Sequence, residues 1–402
     1  MRECVEVAQL GDVVRPLRPR VKPSAHPDLP FIGMEHVESH SMKLLGTVPA
    51  RTMKSAAVRF KPGDVLYGRL RPYLNKVYRP SFEGLCSAEF IVLSENERVE
   101  GAYLQYFLNS PGFVRFASHL NTGDRPRVDF DQIAPYSLPL PPKPEQRRIV
   151  AEIEKQFSRL DEAVANLRRV AAKLKRQKAA VLKSAVDGTL LVECGAKSWR
   201  WDKIGSVAKV ISGLTKSPKR LQLPRKLPYL RVANVHANEL RLDEIEEIGV
   251  ADSELEKLLL RRGDLLVVEG NGSVDQIGRV AIWDGSIAEC VHQNHLIKVR
   301  LSDEVLPEWA LIWLLSPAGR QEIEQVSSST SGLHTLSTGK VARLPIPVPP
   351  RAEQHRIVAE VDRRLSIARE VEAEVGTNLK RAQALRQAIL SKAFAGCGER
   401  GE

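Results

Sequence analysis

The sequence predicts a tandem repeat, A–B–A–B. Two globular segments of mixed strand and loop character alternate with two long helices, and the helices pair antiparallel with pseudo-two-fold symmetry. Three observations predict this. The stretch EQRRIVAEIE at Glu145 returns as EQHRIVAEVD at Glu353, 208 residues later. Similar blocks occur in the same order upstream of both copies. An apolar seam with heptad spacing runs through both helical segments.

The repeat comes before the fold, because a fixed internal period decides the architecture. From Glu145 the register holds without a gap through Gly188, which falls on Gly396. Upstream, VEVAQLGDVV at Val5 matches WRWDKIGSVAKVISG at Trp199, and FKPGDVLYG at Phe60 matches LRRGDLLVVEG at Leu260. FLNSPGF at Phe107 matches LLSPAGR at Leu314. Chance similarity does not keep such order. Solenoid units are about 20–50 residues long; two far longer units argue for a pseudo-two-fold chain. The expected segments are a globular domain over 1–144, a helical region over 145–190, a second globular domain over 196–352 and a second helical region over 353–402.

Proline shapes the entrance to each helix. YSLPLPPKP and RLPIPVPPRA read as extended strand and turn, because proline lacks an N–H donor and disfavours helix in the residue before it. Acidic Glu145 suits the positive end of the helix dipole. From there Val150, Ile153, Phe157, Leu160, Val164, Leu167, Ala171, Leu174, Lys178, Val181 and Ala185 recur at alternating steps of three and four. That spacing is the a/d seam of a coiled coil. The second copy gives Val358, Val361, Leu365, Ala368, Glu372, Val375, Leu379, Ala382, Arg386, Ile389 and Ala393. Arg386 falls on the position of Lys178, so the charged interruption is itself repeated. Each helix ends near a glycine that suits a C-cap. A helix of about 42 residues is about 63 Å long and needs a partner for its apolar stripe. Each helix packs either on its own globular domain or on its repeat; the narrow seam favours the repeat, which must then run antiparallel. The charged seam positions either set register or face a partner.

Composition narrows the function. The 402 residues carry a formal net charge of +11 with pI about 9.4, which points to a polyanionic partner. No run of about 18 apolar residues is present, and MRECVEVAQLGDVV has no signal-peptide core, so no membrane association is expected. Five scattered cysteines fit free thiols in a reducing cytoplasm.

Catalytic signatures are missing. STGKVAR at Ser337 lacks the glycine spacing of a phosphate loop, and EGNGSVDQIG at Glu269 lacks dinucleotide spacing. There is no C-x-x-C or H-E-x-x-H pair for zinc, no G-x-S-x-G elbow, and no tetrad or glycine-rich loop of an amino-methyltransferase. Cys290, His292 and His295 alternate along CVHQNHL and cannot all face one ion, so no metal site is expected. Binding chemistry is easier to find. GRLRPYLNKVYR at Gly68 offers Arg69, Arg71, Tyr73 and Lys76, and NTGDRPRVDF at Asn121 offers Arg125 and Arg127. The matching second-half stretches offer Asn271, Ser273, Gln293, Asn294 and His334. Arginine pairs bidentately with guanine and Asn or Gln with adenine, while lysine holds phosphates. Few aromatics, 5%, argue against a stacking platform for single strands. Helices that repeat while loops diverge suggest two different sequences being read.

LPLPPKPEQRRIVAEI and IPVPPRAEQHRIVAEV, each entering a long helix, resemble the specificity subunit of type I restriction–modification systems. WRWDKIGSVAKVISGLT resembles the usual opening of a target-recognition domain, KPGDVLYG and RRGDLLVVEG its central strand, and TGDRPRVDFDQIAPYSLPLPP and TSGLHTLSTGKVARLPIPVPP its closing segment. The first domain lacks the opening tryptophan. The resemblance implies two α/β (α+β) target-recognition domains separated by an antiparallel two-helix coiled coil, each reading one half of a split double-stranded DNA target. It implies no active site and no cofactor in this chain. It implies docking of two modification subunits, which bind S-adenosylmethionine and methylate adenine, and of two restriction subunits that use ATP and Mg. Ile153, Phe157, Leu160, Val164, Leu167, Leu174, Val361, Leu365, Val375, Leu379 and Ile389 are the candidate coiled-coil and docking positions, with the basic run RRVAAKLKRQK at Arg168 as a docking face. The other reading is a stand-alone or orphan bipartite DNA-binding protein, in which that run is merely solvated.

Overall fold

The structure, a computed structural model, describes residues 6–17, 20–121, 123–191, 199–270, 276–327 and 335–395. The chain forms two compact units: Met1–Arg168 with Gly376–Glu402, and Arg169–Val375. The unit boundaries fall inside the long helices Lys143–Val186 and Arg351–Phe394. Each unit therefore joins one globular segment to a part of both helices.

In the first unit a four-stranded sheet has the order Pro16–Leu17, Phe90–Leu93, Val65–Gly68, Val77–Tyr78. A five-stranded sheet has the order Arg20–Val21, Ala57–Phe60, Gly84–Ser87, Pro30–Ile32, Val48–Pro49. Its one parallel pair aligns Ile32 with Cys86. The second unit repeats the plan. Ala208–Ser212, Leu296–Leu301, Leu265–Val268 and Val280–Ile282 form the four-stranded sheet. In the three-stranded sheet Lys226–Leu230 pairs in parallel with Val291–His292, aligning Leu230 with His292. Antiparallel pairs dominate both units, so of the two expected classes α+β is the better description.

Duplicated motifs make duplicated turns. Gly63 and Gly263 adopt φ of +92° and +91°, a left-handed conformation that glycine takes without a Cβ penalty. The aspartate that follows closes each turn: Asp64 Oδ2 accepts from Lys61 N at 2.7 Å and Asp264 Oδ2 from Arg261 N at 2.7 Å. The proline-rich closing segments are strands, Ser137–Leu140 against Glu6–Gln9 and Pro345–Val348 against Arg200–Lys203. Two-stranded ribbons leave free edges, where a missing N–H is tolerated.

The helices begin at Lys143 and Arg351, two residues ahead of the EQ dipeptides. Pro144 sits in the first turn, where its missing donor has no partner to lose. Glu145 N and Gln146 N donate to Pro142 O, as Glu353 N and Gln354 N do to Pro350 O. The glutamine makes the same bonds in both copies of the motif. Gln146 is fully buried; its Oε1 accepts from Glu100 N at 2.9 Å and its Nε2 donates to Arg98 O and Pro141 O, both at 2.8 Å. Gln354 does the same with Leu306 N, Glu304 O and Pro349 O. One fully buried side chain thus bonds three buried or part-buried backbone groups and fixes each helix to its globular domain. At the other end of the first helix, Gly188 takes φ +69° and Thr189 N and Leu190 N both donate to Ser184 O. Gly396 lies outside the described residues.

Every expected seam position is buried or half-buried. In the first unit Ile153 and Phe157 meet Leu390, and Asp161 meets Arg386. Rising numbers on one helix face falling numbers on the other, so the pair is antiparallel. In the second unit Lys178 pairs with Glu372, and Ala185 and Val186 share a core with Ile357 and Val361. Ile357 and Leu390 are buried more deeply than Val358 and Ile389, their neighbours in the expected seam. Near its ends a helix faces its globular core as well as its partner, which widens the apolar stripe beyond a and d. Both packing alternatives are therefore realised: Phe394 stacks edge-on against Tyr103 and Phe107 of the first globular core, at 5.3 and 5.6 Å.

Candidate nucleic-acid interface

Three connections meet at one place in the first unit. Arg69 N donates to Glu89 O at 2.9 Å, Val128 N to Arg69 O at 3.0 Å, and Arg71 N to Pro126 O at 2.7 Å. Leu70 and Arg127 form a β-bridge. The loop starting at Arg69, the turn before Phe90 and the stretch 121–129 are thereby laced together. They carry all six first-half candidates.

The Arg69 loop is built to present its tip. Arg71 and Asn75 adopt φ of 51° and 46° on either side of the turn Pro72–Leu74. That conformation costs about 1–2 kcal/mol for an ordinary residue and less for asparagine. The buried Asn75 amide donates to Asn109 Oδ1 at 2.9 Å, anchoring the loop beside the helix Pro111–His119. Tyr73 stands at the tip, 45% exposed. Lys76 turns inward, its ammonium donating to Met34 O at 2.6 Å.

Cations crowd below the tip. Arg69 pairs with Asp129, and Arg127 donates to Glu89 Oε1 at 2.6 Å. Burial first, then the charges of Arg127 and Arg20, holds the Arg69 guanidinium below its usual pKa, against the pull of Glu89. Buried Nε atoms of Arg69 and Arg71 have no hydrogen-bond partner. Asn121, Arg125, Arg127 and Gln132 line an open cleft beside them, and Arg125 is exposed.

The second unit repeats the backbone lacing with different side chains. Val268 N donates to Arg279 O as Gly68 N does to Lys76 O, at 2.9 and 2.8 Å. Glu269 N donates to His295 O at 2.9 Å and Leu336 N to Glu269 O at 2.6 Å, and Gly270 bridges Thr335. These bonds equate Arg69 with Glu269, Lys76 with Arg279, Glu89 with His295 and Arg127 with Thr335. Where the first unit has Arg127 on Glu89 and Arg69 on Asp129, the second has His295 Nδ1 bonded to Glu269 Oε2 at 2.8 Å. Gln293 and Asn294 lie just behind; Gln293 N donates to Leu230 O, Asn294 N to Leu214 O, and Gln293 Oε1 accepts from Val232 N at 3.3 Å. Asn271, Ser273 and His334 lie outside the described residues.

Glu89, Asp129, Glu269 and Arg279 were not singled out by residue type. The repeat could have found them, since the matched glycine–aspartate turns set Arg69 opposite Glu269. His292 is a different case. It is fully buried with neither ring nitrogen bonded. Burial, then the Lys298 charge, pulls it down to about 3, so it is a neutral core residue at ordinary pH. Burial pushes both described thiols up, Cys290 to about 12, so neither is a nucleophile.

Known proteins share this fold. The family described as "Type I restriction modification DNA specificity domain" matches residues 3–174 and 197–375. The chain belongs to that family. As a type I specificity chain it has a non-catalytic, DNA-recognising role, and one match falls within each repeat. It is 28% identical over 337 residues to the type I restriction enzyme EcoKI specificity subunit of Escherichia coli (strain K12), covering 79% of this chain and 68% of that one. It is 26% identical over 327 residues to the StySPI specificity subunit of Salmonella potsdam, with the same coverage. A chain solved in work on complex assembly and conformational transition of the type I R-M system superposes with TM-score 0.72, at 22% identity, over 99% of both chains. That likeness concerns the fold. No helix among the described residues is long and apolar enough to cross a membrane.

Proposed function

We propose that each laced loop cluster of this type I specificity chain reads one half of a split double-stranded DNA target. The observation that carries this is the pairing of one backbone framework with unlike side chains: Arg69, Glu89 and Arg127 in one unit, Glu269, His295 and Thr335 in the other. Equal frameworks present loops alike, and unequal donors and acceptors select different base edges. The paired helices dock two modification subunits and set the spacer between half-sites. Two restriction subunits complete the assembly. S-adenosylmethionine, ATP and Mg belong to those partners, and the complex works in the cytoplasm.

The test is methylome sequencing of a host with and without this chain, combined with co-purification of a modification subunit. A bipartite methylated sequence that depends on the chain is expected. Recovery of the chain alone, with no change in methylation, would instead leave a stand-alone DNA binder.

A further inference from the structure

The two clusters differ in net charge as well as in side-chain type. Around the first, the four cations Arg69, Arg71, Arg125 and Arg127 have two ion-pair partners among the described residues, Asp129 for Arg69 and Glu89 for Arg127. Buried Nε donors without a partner occur in both clusters, on Arg69 and Arg71 in the first and on Arg279 in the second, so the difference lies in the count of charges. At the equivalent places the second unit carries Glu269, His295 and Thr335, with Ser337 in the place of Asp129 at the head of a short helix and one cation, Lys340, whose ammonium donates to Thr335 O at 2.9 Å. Lys76 and Arg279 match, so the shared cation cancels between the two units. Duplex DNA presents a row of phosphates to whatever holds it. Guanidiniums in excess suit that row; a carboxylate at the same place does not.

We propose that the two recognition domains divide the task unequally: the arginine cluster of the first grips backbone phosphates and supplies the sequence-independent affinity, while the second adds little such grip and discriminates through neutral and acidic side chains. This rests on the DNA-reading function proposed above and goes further, since that function is equally compatible with two even grips. Arg125 and Arg127 contact phosphates in addition to the base reading proposed for the cluster, and Arg69, pinned by Asp129, keeps the cleft positive beneath them.

Non-specific binding isolates the phosphate part, so the probe is a random-sequence duplex of about four helical turns, titrated with the full chain between about 50 and 200 mM salt. The unaltered chain is expected to bind with a steep salt dependence. Arg125→Ala/Arg127→Ala is expected to reduce the log–log slope by about 2, near 0.9 for each phosphate no longer neutralised. Arg125→Lys/Arg127→Lys restores it, which separates a missing charge from a damaged fold. Lys380→Ala/Arg381→Ala, which removes two exposed cations from the second long helix, leaves it unchanged. Thr335→Arg adds a guanidinium beside Lys340 in the second domain and steepens the slope by about 1. Binding that keeps its slope in the arginine double variant, or falls as much in the helix control, overturns the unequal division and leaves the DNA-reading function standing. Absence of any salt-dependent binding by the unaltered chain overturns that function and this division with it.

Discussion

Arg386 lies with its guanidinium 4.0 Å above the ring of Phe157 and donates to Asp161 Oδ1 at 2.7 Å. The charged break in the second apolar seam thus has both its charge and its flat face satisfied by the first helix. Its sequence counterpart Lys178 pairs with Glu372. Both seam cations face an acid on the opposite helix, so they serve the pairing of the helices. The acids are not sequence counterparts: Glu372 corresponds to Val164, and Asp161 to Arg369. The two halves of the repeat solve the same burial problem with different residues.

Arg386→Ala is expected to destabilise the first unit by about 1–2 kcal/mol, because it removes a cation–π interaction and a partly exposed ion pair. Arg386→Lys keeps the charge without the planar stack and recovers part of that stability. Urea unfolding reads both; an unshifted midpoint in the alanine variant refutes the assignment.

Gln146→Leu removes the acceptor for Glu100 N and the donor for Arg98 O and Pro141 O. Leaving buried polar groups unpaired costs about 1–3 kcal/mol each. A loss of at least about 2 kcal/mol is therefore expected by denaturation, with Gln354→Leu behaving alike in its own unit.

His292 makes stability pH-dependent. Its folded pKa, about 3, lies below the ordinary 6.5, so the unfolded chain binds more protons between those values. The sign follows: the contribution is full above about 6.5 and is lost as pH falls towards about 3. Cys86 occupies the equivalent strand position in the first unit. His292→Cys is expected to raise the thermal midpoint at pH 5 more than at pH 7. Equal shifts at the two pH values would count against it.

The unit boundaries fall at Arg168/Arg169 and Val375/Gly376. A heptad inserted after Arg169 and another after Thr377 adds about 10 Å to each helix between the units. The methylated sequence is expected to gain about three base pairs of spacer, at about 3.4 Å each. An unchanged spacer, read by methylome sequencing, would refute the ruler role of the helices.

The helices were the most legible part of the chain. An apolar residue at steps of three and four reports its own burial, because helix geometry is local: Phe157 and Val361 stand out directly. The interface was only half legible. Arg69 and Arg127 stood out by type, but nothing in the local sequence joins positions 58 residues apart. Their adjacency comes from the Leu70–Arg127 bridge. Lys76 looked like a phosphate ligand by its neighbours, and its ammonium is bonded to Met34 O.

By itself, the sequence determined the repeat, the two helices, their seam and the charges that interrupt it, since each follows from spacing along the chain. Tertiary structure alone decided what those charges touch, why glutamine follows glutamate at both helix starts, and which side chains share the two loop clusters. Those relations depend on strand register and on loops closing across the sheets. Such pairings join residues distant in sequence, and no local periodicity encodes them.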